Sequence, residues 1–460
     1  MAIIASQAKN FVLCPRRVYL DIYGPQERKL PFPEFLLKKA EEGEEFEAKV
    51  ISKIHHEMPL CEFGNWPDCI SKTKDIMEQG AEVIYHAVLA HKGLFGIPDL
   101  LEKRNGKSRF GDFYYTVTEI KTGLSVKEKY LAQVMFYVYL LSKVQGFLPR
   151  KAYLILGDES RHEIDVDEHM EWFKEKLNGI KEVVGGKEIE PSRVAECPHC
   201  PWYDVCFGIL LERKDISLLY KLTKKAMQQL KRHNITSLDD VRIMDEKKFA
   251  KTAEISEYQL KKWKAQAESL VTKKPVVAGK IELPSKKTEI FLDFESEDKT
   301  HYMIGVLVRN GKEKVRQFIA HKREDEGKAW KEFLDFISKQ EDFVIYHYGI
   351  YERKALRQLI EKYGISKKLQ QKIFDNLFDL LKVFYEKIML PTWSYSLKPV
   401  AKYLGFEWRN PQASGELAML WYDSYIKTKG KKFINMIKEY NEDDLIATKL
   451  IKDWLREMQE

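Results

Sequence analysis

The chain has 460 residues, 44% hydrophobic and 32% charged, and a formal net charge of +7. That length exceeds one compact core, so two to four domains are expected. Its six cysteines are too few and too uneven for a secreted disulfide framework. No run approaches the ~20 apolar residues of a membrane span.

The opening MAIIASQAKNFVLCPRR turns polar too early for a signal peptide. A soluble, cytoplasmic protein with no membrane partner is expected. The first block runs over residues 1–211. Helical spacing surrounds CPRR, and EFLLKKAEEGEEFEAKVISKIHHE continues it as a second helix. β-Branched and aromatic residues dominate AEVIYHAVLAHKGLFGIPDLLEKR and FYYTVTEIKTG, which predicts strands. The helix KEKYLAQVMFYVYLLSKVQG and the strand KAYLILGD complete an α/β core.

Residues 212–275 read as a helical middle, broken at RHNITSLDD and AEISEYQ and ending in TKKPVVAGKIELPSKK, a loose linker. From 282 to 460 a second α/β unit is expected. It begins with the strands TEIFLDFESED, HYMIGVLVRNGK and KVRQFIAH. The helices KAWKEFLDFISKQ and YERKALRQLIEKYG follow, with the strand DFVIYHY between them, and KKFINMIKEYNEDDLIATKLIKDWLREM closes the chain. The expected fold class is multidomain α/β with a helical centre.

Charge is unevenly spread. Phe207 to Lys280 contains 17 Lys+Arg against 9 Asp+Glu, a surplus of +8 that accounts for the whole net charge. Such concentration is the footprint of a nucleic-acid partner, or of a Lys-rich solvated helical spacer.

In the first block, Asp99 of GIPDLLEKR and Glu119 of VTEIKTG lie 20 residues apart, and Glu119 and Lys121 share one side of a strand. Two acids and a Lys on one sheet face are costly to bury. They become reasonable around a divalent metal such as Mg²⁺, which takes carboxylates, waters and phosphate oxygens. Downstream, Gln133 and Tyr137 fall four apart on a helix face, placed to reach a phosphate backbone. The order Asp, ExK, QxxxY resembles the RecB-like branch of the PD-(D/E)xK nucleases, which implies a restriction-endonuclease-like core, Mg²⁺ or Mn²⁺, and roles in catalysis for Asp99, Glu119 and Lys121. That branch usually carries a metal-binding His in G-x-x-x-H; here GEEFE puts Glu47 at that place.

Cys197, Cys200 and Cys206 form C-x₂-C-x₅-C, one thiolate short of a four-thiolate site. Iron–sulfur members of the same branch, the CRISPR-associated exonucleases among them, carry one Cys before the nuclease core and three after it. The resemblance therefore implies Cys14 as the fourth ligand, and a [4Fe–4S] cluster that clasps the domain. Zinc takes the same four thiolates and stays the alternative. Cys61 and Cys69 lie outside this pattern and are expected as buried free thiols.

The middle helices resemble a degenerate pair of helix-hairpin-helix units. HNITS and AEISE lack the glycines that let backbone N–H groups approach phosphate. Lys224, Lys225, Lys231, Arg232, Lys261, Lys262 and Lys264 remain as candidates for backbone contact.

In the last block, FLDFES is an apolar strand carrying Asp293 and Glu295 on one face, and YNEDDLIAT puts Tyr440 and Asp444 at i, i+4 on a helix. An edge strand facing water is the plain structural alternative for the first pair. DxE with a late YxxxD resembles the DEDDy exonucleases of the RNase H-like fold. This implies a two-metal site in which Asp293, Glu295 and Asp444 hold cations and Tyr440 orients water. The family's middle acid sits in an HNxxFD-like motif. IYHYGIYERKAL offers His347 and Glu352 there, with Asp379 of DNLFDLL competing.

Together these features predict a metal-dependent nuclease with two active sites, an exonuclease acting on single-stranded DNA or DNA ends. No G-x₄-GK[ST] occurs, so a helicase or other repair factor is the expected motor partner. The alternatives are a nucleic-acid-binding factor with one or both sites inert, and an RNA-processing exonuclease.

Overall fold

Residues 2–252, 254–297 and 300–459 are described by the structure, a computed structural model. They fall into two units, Met1–Ile209 and Leu210–Glu460.

The first unit opens with helices α1 (Ala5–Leu13) and α2 (Pro15–Tyr23). They meet at Cys14, whose extended backbone (φ −161°, ψ 107°) ends one and begins the other. Proline lacks an N–H and suits only the first helical turn, so Pro15 forces the break. Helix α3 (Glu34–Ile51) follows, then a mixed five-stranded sheet in the order β1 (Val83–Tyr85), β2 (Leu100–Ser108), β3 (Gly111–Ile120), β4 (Lys151–Ile155), β5 (Arg161–Asp165). Only β3 and β4 run parallel.

Helix α4 (Glu128–Gln145) packs against β3 and supplies much of the core, with Val134, Met135, Phe136, Val138, Leu140 and Leu141 at 0% exposure. A helix apolar on most sides must be buried on most sides, and left-handed Gly146 ends it. Strand β5 and helix α5 (Val166–Val184) were not anticipated from sequence. The Asp165 side chain caps α5 by accepting the Glu168 N–H.

Cys61 and Cys69 are not free thiols. They form a disulfide with Cα atoms 5.2 Å apart, which ties the loop before helix Trp66–Gln79 to its first turn. Sequence patterning could not foresee this, because the pairing depends on the loop folding back over that turn.

In the second unit, helices Lys224–Arg232, Leu238–Ile243, Glu246–Thr252 and α6 (Glu257–Thr272) precede the sheet. The stretch expected as a loose linker is structured. Val276–Val277 pairs antiparallel with Ile388–Met389, and Ile281 and Leu283 join the core. The Ser269 hydroxyl donates to Met389 O at 3.1 Å, so the helical segment packs on the α/β part rather than standing apart.

The sheet order is β8 (Lys312–Ile319), β7 (Thr300–Asn310), β6 (Thr288–Glu297), β9 (Phe343–His347), β10 (Leu377–Asp379). Strands β6, β7 and β8 form an antiparallel meander, while β9 and β10 run parallel to β6. Strand β6 is thus central, and the edge-strand explanation for Asp293 and Glu295 fails. The helices α7 (Tyr351–Tyr363) and α8 (Leu380–Glu386) follow β9 and β10, and α9 (Lys431–Glu457) lies against β6 and β7. Ile434, Ile437, Leu445, Ile451 and Leu455 make the buried stripe of α9 at helical spacing.

Candidate active sites

In the first unit Asp99 sits at the mouth of β2, and Glu119 ends β3, so antiparallel pairing of the two strands sets them side by side. Backbone and carboxylates interlock. The Asp99 N–H donates to Glu119 Oε1 (3.0 Å), and the Ile120 N–H donates to Asp99 Oδ2 (2.7 Å). Lys121 Nζ reaches Glu119 Oε2 at 2.7 Å and Asp99 Oδ2 at 3.4 Å.

Glu119 is fully buried. Burial, then the neighbouring Asp99 charge, pushes its carboxyl up to about 8, and burial likewise raises Asp99. One ammonium shared by two acids leaves the pair short of positive charge, which a cation would supply. Burial opposes the charge on Lys121, yet Glu119 and then Asp99 hold its pKa above the ordinary value.

Glu47 comes from α3. Its Oε1 lies 2.8 Å from His86 Nε2 and accepts the Tyr85 hydroxyl at 2.9 Å. His86, followed by Tyr85 against the cost of burial, lowers its pKa. Ligand atoms of Glu47, His86 and Asp99 all lie within 4.8 Å of one another. Sequence analysis missed His86. It stands just past β1 with φ of 52°, a backbone placement that no local pattern announces.

Tyr137 is buried on α4, its ring against Gly96, where a Cβ would come within 2.7 Å. Gln133 Nε2 lies 3.5 Å from its hydroxyl, and Glu119 and Asp99 act on it electrostatically, so both residues border the acidic cluster.

Cys14, Cys197, Cys200 and Cys206 line one small cavity walled by Leu20, Trp202 and Tyr203. Burial raises the Cys197 and Cys200 thiols and pushes Cys206 up to about 11. Among the described residues, the sets with ligand atoms all within 4.8 Å of one another are Glu47, His86 and Asp99 and the acids of the second unit, and these thiols are not drawn together to that degree.

In the second unit Asp293, Glu295 and Asp444 offer ligand atoms within 4.8 Å of one another. Burial, then mutual repulsion, holds Asp293 and Glu295 well above the carboxylate range. Burial raises Asp444 to about 6, against the pull of Trp408 and Tyr440. Asn441 Nδ2 donates to Asp293 Oδ2 (2.7 Å) and Trp408 Nε1 to Asp444 Oδ1 (2.7 Å). Lys398 Nζ lies 5.3 Å from the Trp408 ring centroid and 5.2 Å from that of Tyr440. Asn441, Trp408 and Lys398 also escaped sequence analysis. Asn441 could have been noticed as the neighbour of Tyr440 in the motif; the other two had no signal.

Glu352, buried on the first turn of α7, stands 3.5 Å from His347 Nδ1 and acts electrostatically on Asp293. Asp379 has another task. Its Oδ1 accepts the Gly349 and Leu381 N–H groups, both at 2.9 Å, and caps α8.

The basic helices divide. Lys225, Lys261 and Lys264 pair with Glu254, Glu257 and Glu246, and Lys262 lies 4.2 Å from the Tyr258 ring centroid. Lys224, Lys231 and Arg232 face solvent. The Thr236 and Ser237 N–H groups both donate to Asp240 Oδ2, so this turn spends its donors on its own carboxylate.

Comparison with known families finds a match in each unit. Residues 24–207 match the PD-(D/E)XK nuclease superfamily and residues 290–456 match the RNase H superfamily. A search of curated proteins finds no match.

Proposed function

We propose, from a chain that carries one PD-(D/E)XK nuclease superfamily domain and one RNase H superfamily domain, that this protein is a metal-dependent nuclease with two separate centres. The observation that carries the proposal is the convergence of carboxylates at each sheet, Glu47 with Asp99 beside buried Glu119, and Asp293 with buried Glu295 and Asp444. The raised pKa values of Asp99, Glu119, Asp293 and Glu295 mark sites where negative charge has been gathered without enough protein cation to match it.

A divalent cation bound at either site, Mg²⁺ or Mn²⁺, would supply charge neutralisation on the attacked phosphate and a more nucleophilic water. In the first centre Glu47, His86 and Asp99 would hold it, with Glu119. Lys121, anchored on both acids, presents its remaining N–H donors to a phosphate oxygen or to the attacking water. Gln133 and Tyr137 contact the phosphate backbone. In the second centre Asp293, Glu295 and Asp444 would be the ligands. Asn441 and Trp408 orient two of these carboxylates, Tyr440 positions water, and Glu352 is the middle acid of a DEDDy-type set. With Asp379 committed to capping α8, the support falls on Glu352.

The finer assignments belong to the same proposal. Its segments are a RecB-like nuclease (1–211), a basic helical part (212–275) and an RNase H-like exonuclease (282–460). The substrate is single-stranded DNA or DNA ends, the setting cytoplasmic. Cys14, Cys197, Cys200 and Cys206 are assigned to a [4Fe–4S] cluster, with zinc as the alternative. Four thiols from chain segments 183 residues apart around one cavity support a four-thiolate group of either kind.

The test is cleavage of end-labelled single- and double-stranded DNA and RNA by wild type, Lys121→Ala and Asp293→Ala with Mg²⁺ or Mn²⁺. Each substitution should remove one separable activity. Unchanged cleavage by both variants would reject the two-centre nuclease and leave a binding factor.

A further inference from the structure

The second unit contains a cavity of about 960 Å³ that none of these roles uses. It opens beyond the carboxyl ends of the parallel strands β9 and β10, between α7 and α8, at residues His347, Gly349 and Asp379. Crevices at the carboxyl ends of parallel strands are favoured ligand sites.

Its lining is cationic. Arg353, Lys354 and Arg357 come from α7, and Lys382 and Lys387 from α8 and its end. None of these five makes an ion pair among the described residues, whereas Lys225, Lys261 and Lys264 of the middle helices do. Three acids also line the cavity: Asp379 is occupied by two backbone N–H groups and Glu282 by Lys280 at 2.6 Å, which leaves Glu386 alone against the five cations. Five cations without an ion pair around one cavity repel one another and call for an anionic ligand.

Two further features narrow the ligand. His347 is 2% exposed and lines the cavity, with its Nδ1 turned to Glu352 at 3.5 Å. Ile350, 80% exposed, and Phe378 put apolar surface beside the cations. Alternating phosphate-binding and base-contacting surface is the chemistry of a single strand of nucleic acid. The link to the second centre runs through His347, which lines the cavity and stands 3.5 Å from Glu352, a residue that acts electrostatically on Asp293.

We propose that this cavity is a track that grips the phosphates of a single-stranded nucleic acid and leads it to the Asp293 centre. The inference rests on the nuclease proposal for that centre, and its test reads binding rather than cleavage, so either can fail alone.

Binding of a short fluorescein-labelled single-stranded oligodeoxynucleotide to the full chain is followed by anisotropy in EDTA over a salt series. Arg357→Glu and Lys382→Glu are compared singly and together, with Lys331→Glu, an exposed lysine on another helix, as control. The double variant should weaken binding about tenfold or more and flatten the log–log salt slope by about 1.4, two lost single-strand phosphate contacts. The control should match wild type. Both groove residues are exposed, and melting curves verify folding; if one variant unfolds, the other decides. Unchanged affinity and slope in a folded groove variant overturns the track. So does full displacement of the oligonucleotide by free dAMP, which would make the cavity a mononucleotide pocket. Retained binding loss in a chain whose Asp293→Ala substitution changes no cleavage would keep the track and reject the nuclease centre.

Discussion

Gly305 and Asn441 share one small space. Gly305 faces Asp293 across the β6–β7 register, and a Cβ on it would stand 2.7 Å from Asn441 Cγ. The missing side chain is what lets Asn441 reach over the sheet and hold Asp293. Gly305→Ala should therefore overpack the site, cost about 1–3 kcal/mol, and lower Asp293-dependent cleavage. Asn441→Ala should lower the same cleavage without the overpacking penalty. Thermal melts and cleavage assays separate the two. Full activity in Gly305→Ala would mean that Asn441 has no part in placing Asp293.

His86 contacts Glu47 at 2.8 Å, and the two stand with Asp99 as a set able to hold a metal ion. Removing such a partner typically costs about 10–100-fold in metal affinity. His86→Ala should raise the Mg²⁺ or Mn²⁺ concentration needed for half-maximal Lys121-dependent cleavage by that order. The Asp293-dependent activity serves as internal control and should keep its metal requirement. An unaltered metal titration in the first centre would remove His86 from it.

Cys14 ends α1, whereas its partners in the cavity lie beyond α5. A group bound by all four thiolates joins the two ends of the first unit and stabilises it. Anaerobically purified protein should be brown and contain iron. Cys14→Ser should lose the iron and melt at lower temperature, with the first unit affected most. Stoichiometric zinc without iron would replace the cluster with a zinc site.

Glu326 is buried at 1% exposure, where it accepts the His301 N–H (2.6 Å) and the Tyr363 hydroxyl (2.7 Å) and pairs with Lys362. Burial alone would raise its carboxyl, but Lys362 and then His301 bring it below the ordinary value. A lowered folded pKa stabilises the fold above the unfolded value of about 4.3, and that contribution is lost as pH falls through the folded value. Glu326→Gln should melt below wild type at neutral pH, and the gap should close as pH drops below about 4. A gap independent of pH would show that packing, not charge, sets the loss.

Much of both clusters was legible in one dimension. Period-2 spacing put Glu119 with Lys121 and Asp293 with Glu295, and helical spacing put Tyr440 with Asp444, because these neighbours are fixed by backbone geometry alone. The linker and Cys61 were misjudged for the opposite reason. Val276–Val277 looks loose until Ile388–Met389 lies beside it, and Cys61 looks unpartnered until its loop folds onto Cys69.

The sequence by itself determined which chemistry the chain can perform: acids placed within strands that otherwise exclude them, a lysine two residues from one of them, and thiols at ligand spacing. Only the tertiary structure decided who stands next to whom across long separations. It brought His86 to Glu47, Asn441 to Asp293 and Trp408 to Asp444, and made β6 a central strand. The reason is physical. Local periodicity follows from covalent geometry, which each short segment carries with it, whereas distant partners meet only when whole sheets and helices bury their apolar faces together.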